Sequence, residues 1–435
     1  MGALLVTLLL IPRPVLSGPE LTTDPSARFR VHFTLEGQDA PPHGSVDQDG
    51  NGVPDDVDAV GSGVTRIYDQ WVTNGGMRAP LADGGAGGDG RIDVYLRKLN
   101  GARGNTYVED VGKAPAASAW IEVEPRSALV SPERLAAAAG HEAHHAIQYA
   151  YHIGLPRWIY EATATYVENV GFAGMQGETD AHFAALLSHP EVPLDTVDGT
   201  HEYDEMVFID WARLGGLGDL ARLWESMAAE GDDIDGIAKV MNRAMPLVYF
   251  DFAQWLRGVC DPSVTHAGLP CATGARGRLL ASGATPSTTT VDLPPLGIAW
   301  VALPAPLDSC GILLSADLAG ADGVAWAPGG AADFIAASGT GASTWEATGP
   351  SVLTLARGRG STKQVDLSLS SRPQPCPCPE SSCRGGCGCE LGARQGSAPA
   401  LPVSAVLVVV AAFAATSRRR SRAARPCDPA PPSPA

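Results

Sequence analysis

The sequence predicts an α+β chain: a mainly helical domain with a small N-terminal sheet, then a β-sandwich-like domain, then a C-terminal anchor segment. Three observations carry this. Helical periodicity with clear start and stop signals dominates from Pro132 to about residue 257. Strand-like stretches precede it at Arg28–Leu35, Ile92–Leu96 and Ala119–Val123. From Thr288 to Leu369 the texture changes to short alternating segments between Gly and Pro. Composition agrees, since 45% of the 435 residues are hydrophobic and only 18% charged, with 50 Gly and 35 Pro. That is enough apolar material for a core in a loop-rich chain.

In chain order, residues 1–17 come first. An uncharged apolar run from Ala3 to Ile11 leads to the small pair Ser17-Gly18, the pattern of an export signal peptide cleaved near Ser17. The strand at Arg28–Leu35 opens a domain expected over 18–285. Residues 47–58 read DQDGNGVPDDVD. Oxygens from Asp47, Asp49, Asn51, the Val53 carbonyl, Asp55 and Asp58 can wrap one hard cation, with Gly52 making the turn, so calcium is expected here. A helix should follow over Val60–Val72. The Gly-rich loop Leu81–Gly90 places Asp83, Asp89 and Asp93 close enough in sequence for a second calcium site.

Ser131-Pro132 supplies an N-cap and a first-turn proline, and the helix it starts should run to about Tyr151. Gly154-Leu155-Pro156 breaks it, and a second helix should cover Trp158–Val170. Further helices are expected at 178–188, 203–230, 234–243 and 247–257. Cys260 and Cys271 read as a disulfide closing a loop, as suits an exported chain. The β-rich domain is expected over 286–371 and a Cys/Gly/Pro-rich stalk over 372–398.

The chain ends on an uncharged apolar run, 400–416, of about the minimum length to span a membrane. Arg418, Arg419, Arg420, Arg422 and Arg425 follow and orient the body outward. The order Gly-Cys-Gly-Cys, short span, arginine cluster over 387–425 resembles the myxobacterial C-terminal sorting signal (MYXO-CTERM). That resemblance implies processing at the cysteines and retention on the cell surface. Formal net charge is −17, and an acidic body argues against a nucleic-acid partner.

The chemistry concentrates in "AAAAGHEAHHAIQYAYHIGLPRWIYEATATYVENV", residues 136–170. Burying this many polar groups costs several kcal/mol each unless something pairs with them. His141, Glu142 and His145 match H-E-x-x-H. On a helix the two histidines share a face and reach one ion, while Glu142 sits beside it without ligating and can act as a general base. His144 tilts to another flank, and His152 lies too far along the axis. A second helix returning antiparallel would bring Glu161 near the first.

The segment W-x-x-E-A-x-A, from Trp158 to Ala164, resembles the gluzincin zinc metallopeptidases. With the acidic loop, the stretch from Arg28 to Gly258 also resembles a family of myxobacterial surface metalloproteases. The resemblance implies a zincin-like fold for the helical domain, zinc on His141, His145 and Glu161, and hydrolysis of a peptide or protein substrate. It also implies a Tyr or His as oxyanion donor, for which "THEYDEMVF" offers Tyr203 and His201. Glu168 is expected to hydrogen-bond a ligand histidine or a nearby backbone group. The competing expectation is a surface adhesion protein on an inactive metallopeptidase scaffold, against which the intact H-E-x-x-H and Glu161 argue.

Overall fold

A computed structural model describes residues 12–109, 115–189 and 192–259, together with short segments, mainly strands, between 287 and 374. The expected disulfide Cys260–Cys271, the expected C-terminal sorting signal and the expected 400–416 span lie outside the described residues, as does most of the expected leader. Among the described residues no helix is long and apolar enough to cross a membrane.

The architecture is α+β. A five-stranded mixed sheet comes first, built from β1 (Leu21–Thr23), β2 (Phe29–Phe33), β3 (Ile92–Leu96), β4 (Gly104–Glu109) and β5 (Ser118–Val123) in the order β1-β2-β3-β5-β4. β2, β3 and β5 run parallel; β1 and β4 are antiparallel edges. The sequence reading finds the three central strands, whose residues are almost all buried, as parallel strands covered on both faces are. It misses both edges.

Helix α1 (Asp55–Ile67) starts five residues earlier than expected and ends in a π-helical turn, Tyr68–Thr73. Helices α2 (Pro132–Tyr149) and α3 (Arg157–Gly171) fall where capping and breaking signals put them. Ser131 Oγ accepts from Arg134 N at 3.1 Å. Next come α4 (Gln176–Ser188), α5 (His201–Asp204), α6 (Met206–Ala212), α7 (Leu220–Glu230), α8 (Asp233–Val240) and α9 (Met245–Val259). The single helix expected over 203–230 is therefore three, interrupted at Glu205 and by a π-helical turn at Arg213–Leu217 that runs into Gly218, whose φ is +78°. Among the described residues, eight further strands form two four-stranded antiparallel sheets between Ser287 and Gln374. The helical core continues onto them through buried Leu296 and Ile298, and Leu194 N bonds Leu296 O at 3.0 Å.

Helix α2 is the axis of the domain because its residue pattern serves three surroundings. Leu135, Ala139, Ala143 and Ala146 pack on the sheet with Val57, Val60 and Val64 of α1. Ala136, Ala137 and Ile147 face the helical core around Trp158, Phe172 and Phe208. Each large apolar side chain buried in this way contributes roughly 1.5–3 kcal/mol. α1 reaches α2 so closely that a Cβ on Gly63 would meet the Ala136 carbonyl oxygen at 2.1 Å, so glycine is required there. The third face of α2 carries the H-E-x-x-H residues into a cleft.

The N-terminal segment is part of this fold. Arg13 forms ion pairs with Asp83, Asp93 and Glu109, Leu16 packs with Tyr95 and Trp120, and Ser17 exchanges two hydrogen bonds with Asp39. This corrects the expectation of a second calcium site. Asp83 and Asp93 are held by Arg13, and Asp89 by Arg30 and Arg91.

Candidate metal centre

Helices α2 and α3 meet in reversed chain order. Tyr149 packs on Tyr160, Gln148 bonds Thr163, His145 meets Glu161, and His141 meets Glu168. Pro156 precedes the first turn of α3 and fixes the return angle. Ala162 and Ala164 are fully buried, so the helices can approach closely.

Glu161 Oε2 lies 3.3 Å from His141 Nε2 and 3.4 Å from His145 Nε2. Among the described residues, this is the group of His, Cys, Asp or Glu whose ligand atoms all lie within 4.8 Å of one another and that can hold a metal ion. The outer nitrogens are fixed as well. His141 Nδ1 is 3.0 Å from Glu168 Oε2, and His145 Nδ1 is 2.7 Å from Gln148 Oε1. Gln148 can present only its oxygen to His145, because its amide nitrogen donates to Tyr160 O at 2.9 Å and to Thr163 Oγ1 at 2.7 Å. Both imidazoles therefore carry hydrogen on Nδ1 and turn Nε2 to the shared point, where a bound cation would take the place of a proton.

The electrostatics match this layout. Burial opposes charge on His141, but the Glu161 and Glu168 carboxylates outweigh it and push its pKa up to about 10. Burial would raise Glu161, yet the two histidines hold it well below the ordinary carboxylate range. Glu168 is likewise lowered against its burial, by His141 and by Arg103, which donates to it at 3.0 Å. The site is thus a pocket of negative potential that favours positive charge, suited to a cation.

Glu142 stands beside the three ligands without joining them. Its Oε2 accepts from Thr106 Oγ1 at 2.7 Å. The cleft, about 1150 Å³, is lined by β4, by one face of α2, and by parts of α3, α4 and α5, and both Glu142 and Tyr203 face it. The Tyr203 ring centroid is 6.3 Å from that of His141. His201 also lines the cleft but turns Nε2 toward Glu205 Oε1, 2.9 Å away. His144 points elsewhere, fully buried against Trp71, with burial and the neighbouring histidines pushing its pKa down. His152 accepts from Gly154 N in the inter-helix turn.

The sequence does not announce Gly104, Thr106, Gln148 or Arg103. Gln148 occupies the place where a different H-E-x-x-H pattern would carry glycine, and only the return of α3 shows what it holds. The expected strands do not include β4, so its two site residues had no frame.

The acidic loop is closed on itself. Asp47 collects the backbone N–H groups of Gly50, Asn51 and Gly52 at 2.8–3.2 Å, and these, led by Gly52, lower its pKa. The Asn51 amide nitrogen donates to Asp49 and Asp58, at 3.2 and 2.8 Å. Asp58 is raised by partial burial and by the charges of Asp49, Asp47 and Asp55. Asp55 is turned onto Gln48 N and Nε2, at 2.9 and 2.7 Å. Asp47, Asp49, Asn51 and Asp58 share one side of the turn; Asp55 serves its closing.

Comparison with protein families, curated proteins and solved structures finds no match for this chain.

Proposed function

We propose that the chain is a zinc-dependent peptidase of the gluzincin type, with a zincin-like helical domain, exported and kept at the cell surface. The observation that carries the reading is the pair of distances at Glu161. Four ligands at zinc bond lengths of ~2.0–2.1 Å define a tetrahedron whose edges are ~3.3–3.4 Å. The edges from Glu161 Oε2 to the two Nε2 atoms are 3.3 and 3.4 Å. Two imidazoles and one carboxylate beside an open cleft are also the donor set of catalytic zinc sites that keep a position free.

A zinc ion held there supplies Lewis acidity, polarising a carbonyl group and making a water acidic near neutral pH. The chain's own residues do the rest. Glu142, held off the ligand triangle by Thr106, accepts the water's proton and passes it to the leaving amine. Glu168 and Gln148 hold the imidazoles in the ligating tautomer. Tyr203, on the wall beyond His141, donates to the developing oxyanion, with Arg157 near it and bonded to Glu161 at 3.2 Å. His201 is the weaker candidate, because Glu205 engages its nitrogen. Among the described residues β4 is the edge strand on the cleft, and its outer side suits a peptide in extended form. Calcium on Asp47, Asp49, Asn51, the Val53 carbonyl and Asp58 belongs to the same reading as a stabilising ion; Asp55 would reach it only by leaving Gln48.

The test is metal analysis of the purified chain together with cleavage of a diverse peptide library. Wild type should hold one zinc and cleave, and Glu161→Ala should fall well below one zinc per chain. Stoichiometric zinc in His141→Ala would remove the assignment. Zinc without cleavage of any peptide would favour the adhesion reading.

A further inference from the structure

We propose that Gly104 and Thr106 of β4 are positioning residues that set the Glu142 carboxylate before substrate arrives. This rests on the reading of Glu142 as proton acceptor.

Glycine at 104 is not there for an unusual backbone. It lies in a regular strand pair opposite Val123, and its φ is outside the left-handed region. What it provides is room. A Cβ on Gly104 would stand 2.4 Å from Glu142 Cγ, 2.7 Å from Oε1 and 2.8 Å from Cδ. No side chain fits there while the glutamate keeps its place, so the Glu142 stem lies directly against the β4 backbone.

Thr106 is two residues on, on the same face of the strand. Its hydroxyl is 2.7 Å from Glu142 Oε2 and 2.9 Å from the Glu142 backbone oxygen. One hydroxyl hydrogen serves one acceptor at a time, and an ionised carboxylate is the stronger. Oε2 is therefore tied down, while Oε1, above Gly104, is left to take a proton. The β4 platform is itself fixed: Thr106 pairs with Ile121 and Gly104 with Val123, both fully buried, and Glu124 N bonds Arg103 O at 2.9 Å. A glycine that makes room, with a hydroxyl two residues further along the same strand, forms a seat for one rotamer of one glutamate.

The experiment compares Thr106→Val, Thr106→Ser and Gly104→Ala with wild type as zinc-loaded full chains. It measures metal content, kcat and KM on a cleaved peptide, and the crystal structure of each. All four proteins should hold one zinc. Thr106→Val should lose ~10²-fold in kcat, the scale of a 1 Å misplacement, with KM unchanged. Thr106→Ser, which keeps the hydroxyl, should restore most of that loss. Gly104→Ala should lose at least as much, with the carboxylate displaced by ~1 Å or more in its crystal structure. Wild-type kcat in Thr106→Val overturns the proposal. Should wild type cleave no peptide, the peptidase reading fails and the crystal structures decide this one: a carboxylate displaced in Gly104→Ala and turned away in Thr106→Val upholds the seat, and an unmoved one in both overturns it. Should Gly104→Ala not fold, the Thr106→Val and Thr106→Ser pair decides.

Discussion

Replacing Gln148 by Leu tests the tautomer argument with little change in volume. Gln148 is fully buried and sits three residues after His145 on the same helix. The substitution removes the acceptor 2.7 Å from His145 Nδ1. A buried N–H without a partner is costly, and the imidazole relieves it by turning or by moving its hydrogen to Nε2. In the second case Nε2 no longer ligates. Loss of such an orienting partner weakens metal binding ~10–100-fold, or ~1.4–2.7 kcal/mol. The same change also strips donors from Tyr160 O and Thr163 Oγ1, so the metal-free fold loses stability too, by ~1–3 kcal/mol for each buried group left unsatisfied. Gln148→Glu separates the two effects. It keeps an oxygen for His145 but has no hydrogens for Tyr160 and Thr163. Its zinc affinity should match or exceed wild type, while its metal-free melting temperature falls as far as that of Gln148→Leu. Competition with a chromogenic zinc chelator gives the affinities and thermal unfolding of the metal-free proteins gives the stabilities. Zinc affinity in Gln148→Leu within twofold of wild type would refute the reasoning.

Three further outcomes are expected. Glu142→Gln should keep one zinc and lose ~10²- to 10⁴-fold in turnover, since the amide still fills the space beside Thr106 but cannot accept a proton; wild-type turnover would assign the base elsewhere. Calcium should raise the melting temperature of wild type, and Asp49→Ala should abolish that response; equal responses in the two proteins would rule out the 47–58 loop as the site. Burial pushes Glu205 from its ordinary 4.5 up to about 7, and His201 beside it is raised as well. Both groups therefore hold protons more tightly when folded, so their stabilisation is complete at low pH and is lost as pH rises through about 7. The melting temperature should fall between pH 5 and 8, less steeply in Glu205→Gln, and identical slopes would exclude the pair as the cause.

What the sequence makes legible here is what local physics decides. Ser131-Pro132 starts α2, Gly154-Leu155-Pro156 ends it, and the fourfold spacing puts His141 and His145 on one face; none of this needs a partner from far away. The reach of Glu161 is legible only in outline, through the short turn between the helices. β4 is hidden because its residues are all half-buried, so neither alternation nor an apolar run marks it, and its place beside Glu142 follows from sheet order. Asp83, Asp89 and Asp93 show the opposite failure. Their spacing suits a cation, but the cations present are guanidinium groups, and one of these, on Arg13, comes from 70 residues away. The break in the helix expected over 203–230 has a local signal, the Gly215-Gly216 and Gly218 run, which helical periodicity around it obscured.

Arg13 bears on the proposed export. Three carboxylates converge on its guanidinium at the end of the sheet, and Asp93 among them is almost wholly buried. A leader peptidase acting at Ser17 would carry that countercharge away with the leader, together with Leu16, and leave the acids facing each other. Removing one partner of a buried ion pair typically costs ~3–5 kcal/mol, a large part of the stability of an ordinary domain. A scissile bond on the N-terminal side of Arg13 leaves the arginine in place and the sheet intact. On the proposed export, the address label and the folded body would share residues, and the place of the cut would decide whether the body keeps Arg13.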